Sequence, residues 1–142
     1  MNKKILNFIF DTYFDICILS VLLLASVYLH GLGRYQVVGA LVFGSATYFW
    51  ILARIQLGNS FSLFPEAKEL VAIGIYKRIR HPIYVFSTLA VLGVTISFQT
   101  YPLLIILAVV TSIEILRARR EERILSQKFG RTYEEYKKRT WF

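Results

Sequence analysis

The sequence predicts an all-α integral membrane protein with four transmembrane helices and a C-terminal cytoplasmic helical extension. The chain has 142 residues, 56% of them are hydrophobic, and its mean hydropathy is +0.51. Charged residues make up 18% of the chain, against about 25% in a typical soluble domain. The high apolar content excludes a disordered chain. Cys17 is the single cysteine and there are two histidines, which excludes a disulfide scaffold and a zinc site built from Cys and His.

Four apolar stretches account for the predicted spans, and together they form one domain over residues 1–142. A helix needs about 20 mostly apolar residues to cross the hydrocarbon core. The stretches cover about residues 8–29, 37–57, 83–98 and 102–116. Only residues 99–101 separate the last two, so these form a tight helical hairpin. Pro102 suits the first turn of the fourth helix, because its missing N–H costs nothing there.

The distribution of basic residues predicts how the chain is oriented in the membrane. Four spans put both termini on one side, and all but one of the 17 Lys and Arg residues, Arg34, fall on that side. The positive-inside rule then places both termini and the segments 58–82 and 117–142 in the cytoplasm. Because the positive charge lies beside the membrane ends, attraction to anionic membrane lipids explains the net charge of +8 better than nucleic-acid binding does.

The fourth helix is predicted to continue out of the bilayer. Apolar and charged residues alternate at helical spacing over residues 113–125, which extends the helix to about Lys128. Gly130 is typical of a helix C-terminus, where glycine takes the left-handed conformation. Tyr133 and Tyr136 follow at i, i+3, and their rings can lie at the level of the lipid headgroups.

Two sets of residues on the predicted cytoplasmic side are candidates for binding or catalysis. Arg80-His81-Pro82 directly precedes the third span, and its proline holds the histidine in an extended conformation and starts the helix. Arg117 and the pair Glu121-Glu122 directly follow the fourth span, where the arginine and the first glutamate share a helix face one turn apart. Because spans three and four form a hairpin, both groups emerge on the same side and can meet across a cytoplasmic cavity. The alternative is that they are interfacial anchors and solvated charges.

Glu114 differs from these residues because it lies inside the predicted fourth span. An ionisable side chain at membrane depth is usually functional or paired. Glu114 is therefore either functional or the partner of Arg117 or Arg54 in an ion pair.

The segments that carry these groups resemble a known family. Residues 74–84, GIYKRIRHPIY, resemble the Gly-x-Tyr-x-x-x-Arg-His-Pro-x-Tyr segment of the isoprenylcysteine carboxyl methyltransferases, and related membrane methyltransferases acting on phospholipid amines share its Arg-His-Pro core. Residues 121–139, EERILSQKFGRTYEEYKKR, resemble the Glu-Glu-x-x-Leu-x-x-x-Phe-Gly-x-x-Tyr-x-x-Tyr tail of the same family. The resemblance also takes in LGNSFS and KELV and covers about residues 57–139. Two motifs in this order, separated by a predicted hairpin, make it specific.

The resemblance implies S-adenosylmethionine as the cofactor and a lipophilic acceptor that enters from the bilayer. It places Arg117 at the methyl-accepting end, as the catalytic arginine. Arg80 or main-chain N–H groups can hold the carboxylate of the cofactor's amino-acid tail. No metal is required, because methyl transfer is an in-line displacement that depends on alignment. Carried over residue by residue, the cofactor contacts are Leu70, Val71, Tyr76, His81, Pro82, Tyr84, Glu121 and Glu122.

The sequence departs from the family pattern at two places that concern the acceptor. Phe86 stands where the family often has a small residue, and Thr140-Trp141-Phe142 replaces a Val-Pro ending. The expected acceptor is a carboxylate such as that of a prenylated cysteine, which Arg117 would orient. A phospholipid amine or another small lipophilic acceptor is the alternative, and an amine would need a carboxylate as base.

Two further alternatives lie outside the methyltransferases. One is a membrane reductase that uses a reduced nicotinamide cofactor, whose C-terminal region resembles this chain distantly, although the sequence has no Gly-rich dinucleotide loop. The other is a small four-helix membrane transporter, for which a carboxylate at the centre of a span would be expected, whereas Glu114 lies near the end of one.

Overall fold

A computed structural model describes residues 3–57 and 73–142, and every helix in these ranges matches a predicted apolar or amphipathic stretch. A short 3₁₀ turn at Gly74–Lys77 precedes the third helix, and an isolated parallel bridge joins Ile79 to Trp141. The predicted all-helical class is thereby confirmed for the described part of the chain. The helices are α1 Lys3–His30, α2 Arg34–Leu57, α3 Pro82–Phe98, α4 Tyr101–Phe129 and α5 Arg131–Arg139.

Two of the four predicted spans lie in helices that are long and apolar enough to cross a membrane. By length and composition, α2 and α4 meet that requirement, while the apolar helices Ile16–His30 and Pro82–Phe98 are shorter. The 17 residues of α3 extend about 25 Å at 1.5 Å per residue, less than the roughly 30 Å of the hydrocarbon core. Among the described residues, length and composition therefore support two of the four predicted spans.

The predicted helix ends are confirmed. Pro82 is the first residue of α3, and Pro102 is the second residue of α4. In both places proline fits the first turn of the helix, because an N–H group there has no hydrogen-bond acceptor within the helix and its absence costs nothing. α4 continues far beyond the predicted span and ends at Phe129, where Gly130 follows with a φ of +49°. A positive φ of this kind favours glycine, which has no Cβ to clash with the backbone.

Contacts within the chain divide it into two compact units. The first unit comprises residues 1–47 and 89–108, and the second comprises residues 48–88 and 109–142. All the described residues of the predicted site belong to the second unit. Leu70 and Val71 lie outside the described residues, as do the KELV segment and all of LGNSFS except Leu57.

The first unit packs α2 against α3 around a small apolar core. Phe43 and Ala46 from α2 meet Ala90 and Val94 from α3. Buried polar groups add two contacts with α3: the hydroxyl of Ser26 on α1 forms a hydrogen bond with that of Ser97, and the Gln36 side-chain amide on α2 donates to the Ser97 carbonyl at 3.0 Å. The residues of α1 and α3 that complete the core from its edges are Leu19, Leu23, Leu89 and Phe98.

Two glycines allow α2 and α3 to approach closely in this unit. A Cβ added to Gly39 would lie 2.5 Å from the carbonyl oxygen of Gly93, and one added to Gly93 would lie 2.6 Å from the backbone nitrogen of Phe43. Backbone atoms cannot swing aside as a flexible side chain can. Small residues at the crossing are a usual way in which membrane helices pack.

We expect Gly39→Ala to lower the thermal unfolding midpoint of the detergent-purified protein. The added methyl group overpacks the contact at a cost of about 1–3 kcal/mol, while alanine returns only about 1 kcal/mol of helix propensity. Gly44→Ala is the matched control, because Gly44 lies on the same helix and a Cβ there meets nothing within 4 Å. The control should leave the midpoint unchanged or raise it. Equal shifts in both variants would contradict a close crossing at Gly39.

Candidate functional site

The last residues of the chain are hydrogen-bonded to the Arg-His-Pro segment and the residues just before it. The Trp141 N–H donates to the Arg78 carbonyl at 2.7 Å, and the N–H groups of Arg80 and His81 donate to the Phe142 carbonyl at 2.8 and 3.0 Å. The phenyl ring of Phe142 also meets the His81 ring edge-on, with 5.8 Å between ring centres. The sequence offered main-chain N–H groups in general as holders of a ligand carboxylate, and these two are already bonded within the chain.

Glu122 collects positive side chains from two further elements. Its Oε1 lies 3.3 Å from Arg80 Nε and 3.5 Å from His81 Nε2, and its Oε2 accepts a hydrogen bond from Lys137 Nζ at 3.3 Å. We call Arg80, His81, Glu122 and Lys137 the Glu122 cluster. The cluster joins the segment before α3 to α4 and to α5.

The Glu122 cluster keeps its carboxylate ionised. Burial on its own would raise the pKa of Glu122, but the Lys137 hydrogen bond and the charges of Arg80, Lys137 and His81 hold it below its ordinary value of 4.5. A carboxylate with this many partners is stabilised in its charged form. Glu122 is therefore committed to contacts within the chain.

Glu121 is adjacent in sequence but lies in a more open environment. Its Oε2 accepts a hydrogen bond from the Tyr84 hydroxyl at 3.1 Å and lies 3.6 Å from His81 Nδ1. The Glu121 side chain is 47% exposed, against 22% for Glu122. The His81 and Tyr84 rings stack with 5.7 Å between their centres. This arrangement leaves Glu121 able to accept hydrogen bonds from a bound molecule.

Buried tyrosines surround the same residues. Tyr76 and Tyr133 are almost fully buried, and the Tyr136 hydroxyl donates to the Tyr76 carbonyl at 2.6 Å. Burial raises the pKa of Tyr136 to about 12 and raises those of Tyr76 and Tyr133 further, so all three hydroxyls are neutral donors at physiological pH.

Two buried polar groups at this site have no hydrogen-bond partner among the described residues. They are the hydroxyls of Tyr76 and Tyr133. Buried polar groups are nearly always satisfied, because an unsatisfied one costs about 1–3 kcal/mol. The arrangement is therefore suited to a ligand that brings its own polar groups and, opposite Glu121, hydrogen-bond donors or positive charge.

The sequence missed the role of α5. The sequence allowed the two tyrosines of this helix to lie at the headgroup level, and the structure packs both within the chain: Tyr133 is 1% exposed and the Tyr136 hydroxyl bonds to the segment before α3. The i, i+3 spacing of the two tyrosines within a strongly amphipathic helix is compatible both with rings at the lipid headgroups and with rings packed within the chain. Only the packing of α5 distinguishes them.

The remaining predicted residues lie close by in the second unit. Pro82 is fully buried, and the Arg117 side chain is 66% exposed with its Nη1 4.0 Å from Glu114 Oε2. The ion pair between Glu114 and Arg117 that the sequence offered as one alternative is thus present. Phe86, at the position where a small residue was expected, stacks on Phe49 with 5.2 Å between ring centres.

Comparison with known proteins identifies one family. The sequence model of the phospholipid methyltransferase family matches residues 35–132, which is more than half of the chain. Comparisons with curated proteins and with solved structures found no match. The matched range includes Arg80-His81-Pro82 and Glu121-Glu122, and it confirms the resemblance to membrane methyltransferases that these motifs indicated.

The low pKa of Glu122 predicts how stability depends on pH. A carboxyl whose pKa is lower in the folded state adds stability that is fully present above its unfolded pKa and is lost as the pH falls through its folded pKa. We expect Glu122→Gln to lower the thermal midpoint by a constant amount above a pH of about 4.5, with the difference from wild type shrinking at lower pH. The exposed Glu135 on α5 supplies the control, Glu135→Gln, which should follow wild type throughout. A difference that grows as the pH falls would show that the sign is wrong.

Proposed function

Because the chain belongs to the phospholipid methyltransferase family, we propose that it transfers a methyl group from S-adenosylmethionine to a lipophilic acceptor in the membrane. The observation that carries the proposal is the contrast between two adjacent carboxylates. Glu122 is enclosed by the side chains of Arg80, His81 and Lys137, whereas Glu121 is open beside the stacked rings of His81 and Tyr84. An open carboxylate next to aromatic faces suits a cationic, aromatic cofactor.

The described side chains fit that cofactor on chemical grounds. S-adenosylmethionine supplies a methyl group on a cationic sulfur, and it also carries a ribose diol, an adenine and an ammonium group. Glu121 can accept hydrogen bonds from the diol or the ammonium group. The His81 and Tyr84 rings offer faces to adenine and to the cation. The unpartnered hydroxyls of Tyr76 and Tyr133 supply further hydrogen bonds.

The other predicted cofactor residues fall into two groups, those that position the site and those that remain proposed contacts. Arg80 donates from Nη1 to the Lys137 carbonyl at 3.3 Å in addition to pairing with Glu122. In our proposal Arg80 and Glu122 therefore position His81 and α5 and do not hold the cofactor's carboxylate. Pro82 acts in the same way by starting α3 directly after His81. Leu70 and Val71 remain proposed apolar contacts that lie outside the described residues.

Arg117 is the proposed residue for orienting the acceptor. Methyl transfer requires the attacking atom, the methyl carbon and the sulfur to lie in line, so alignment supplies much of the rate. Arg117 is four residues before Glu121 on α4, and its guanidinium is largely exposed. It can bind either the carboxylate of a prenylated cysteine or the phosphate of a phospholipid. The family match favours a phospholipid, with its amine as the methyl acceptor, over the prenylated cysteine.

The proposal includes the predicted topology of four spans with both termini in the cytoplasm. It is supported by the distribution of basic residues, of which only Arg34 would lie outside. Reporter fusions after Arg34 and after Phe142 should report opposite sides of the membrane. Identical reports would rule out the four-span arrangement while leaving the cofactor proposal untouched.

Calorimetric titration of the purified protein tests the cofactor site. We expect S-adenosylmethionine to bind wild type, and Glu121→Gln and His81→Ala each to weaken binding. The loss of one charge-assisted contact costs about 1.5–3 kcal/mol, which raises the dissociation constant roughly tenfold or more.

Arg117→Lys is the matched variant on the same helix. Its dissociation constant should stay within about threefold of wild type, less than ~0.7 kcal/mol, while turnover falls because lysine lacks the planar two-point contact. Wild-type affinity in both Glu121→Gln and His81→Ala would remove these residues from the cofactor site. Loss of affinity in Arg117→Lys would assign Arg117 to the cofactor instead of the acceptor.

A further inference from the structure

Glu114 is a carboxylate that the proposed cofactor site leaves without a role. It lies on α4 within the predicted fourth span, and its side chain is only 15% exposed. Holding an ionisable group at that depth is costly, so such groups usually serve a function. We infer that Glu114 is the acid–base residue on the acceptor side, which takes a proton from the ammonium group of a lipid amine. The inference rests on the proposed methyl transfer and assigns its acceptor class.

The contacts between α3 and α4 place Glu114 on the same face as the cofactor residues. The Tyr84 hydroxyl meets Glu121 at 3.1 Å, and the Ser87 hydroxyl meets Glu114 at 3.3 Å. Since α3 runs away from the Arg-His-Pro segment and α4 returns to it, a residue later in α3 pairs with one earlier in α4. Glu114 thus lies two turns, roughly 10 Å, deeper along α4 than Glu121. A lipophilic acceptor that approaches the cofactor from the bilayer would therefore pass Glu114.

Ser87 allows Glu114 to gain a proton without losing its partner. Ser87 Oγ lies 2.9 Å from the Tyr84 carbonyl and 3.3 Å from Glu114 Oε1, but the hydroxyl has only one proton to donate. When Glu114 is ionised, Ser87 can donate to it. When Glu114 is protonated, Glu114 can donate to Ser87, which then donates to the Tyr84 carbonyl. A contact that survives both charge states is what a proton acceptor requires.

The charges beside this position suit a lipid amine that also carries a phosphate. An ammonium group is attracted to the Glu114 carboxylate, and the Arg117 guanidinium, 4.0 Å from Glu114, can hold the phosphate of the same lipid. A primary amine is an ammonium ion at neutral pH, with an ordinary pKa of about 10.4 in lysine. It has no free electron pair and must lose a proton before it can attack.

The step that follows balances in atoms and charge. The ammonium group gives one proton to a Glu114 carboxylate oxygen, which frees the nitrogen lone pair. That lone pair forms the new bond to the methyl carbon as the bond from this carbon to sulfur breaks, and the electron pair of the broken bond stays on sulfur as a neutral thioether. The methylated amine leaves as a cation. Glu114 then releases its proton to solvent and is ionised again.

Binding and turnover measurements with Glu114→Gln test the inference. Glutamine keeps the size of the side chain and an oxygen for Ser87, but it can neither attract a cation nor take its proton. We expect this variant to bind an ethanolamine-headgroup lipid roughly tenfold or more weakly than wild type, the usual effect of losing one charge-assisted contact. Binding of the N-acetylated lipid, which has no cation, should change less than about twofold. Methyl transfer to the ethanolamine lipid should fall by about 100-fold or more, as for loss of a general base.

Controls separate this inference from the proposed function and from misfolding. Calorimetry should give unchanged S-adenosylmethionine affinity in Glu114→Gln, and Glu135→Gln should match wild type in every measurement. Ser87→Ala keeps the Glu114 carboxylate, so it should bind the ethanolamine lipid as wild type does but methylate it more slowly. This variant tests the inference if Glu114→Gln does not fold.

Two outcomes would overturn the inference. One is turnover within about threefold of wild type in Glu114→Gln together with equal binding of both lipids. The other is a wild-type protein that binds the N-acetylated lipid more tightly than the ethanolamine lipid. Failure of wild type to bind S-adenosylmethionine would defeat the proposed function instead, and the lipid-binding comparison would still decide whether Glu114 recognises an amine.

Discussion

The ion pairs of Glu122 with Arg80, His81 and Lys137 are the contacts on which the second unit depends. They join the segment before α3, the later part of α4 and α5, which are separated in the sequence. Partly buried charges are tolerated only when they are paired, and removing one partner leaves the others uncompensated. The aromatic rings of Tyr84 and Phe142 contact His81, which is itself one of the partners of Glu122.

The same cluster explains why two adjacent glutamates have different environments. Successive residues of an α-helix point about 100° apart, so one of the pair faces the Arg80 and Lys137 side chains and the other faces Tyr84. Glu122 is enclosed and acts within the protein. Glu121 keeps an exposed carboxylate beside two stacked rings, which is the feature that best suits a cationic cofactor.

The hairpin of α3 and α4 extends the polar chemistry into an apolar part of the chain. Tyr84 with Glu121 and Ser87 with Glu114 repeat the same hydroxyl–carboxylate contact, three residues on along α3 and seven back along α4. One contact would serve a polar cofactor and the other a lipid acceptor. A membrane enzyme that joins a water-soluble donor to a lipophilic acceptor needs polar groups at both depths, and the hairpin provides them on one face.

The sequence by itself determined the helical class, the helix ends and the grouping of the two motifs. Hydropathy indicates which stretches are removed from water. Pro82 fixes the backbone at the start of α3, Gly130 permits the positive φ after α4, and the short link between α3 and α4 holds the adjoining ends of these helices together. Tertiary structure alone decided that Tyr133 is buried, that Trp141 and Phe142 pair with the Arg-His-Pro segment, and that Glu121 is open while Glu122 is enclosed. It also brought Ser87 to Glu114. Local sequence sets backbone conformation and apolar content, but the surroundings of a side chain depend on what distant elements place against it.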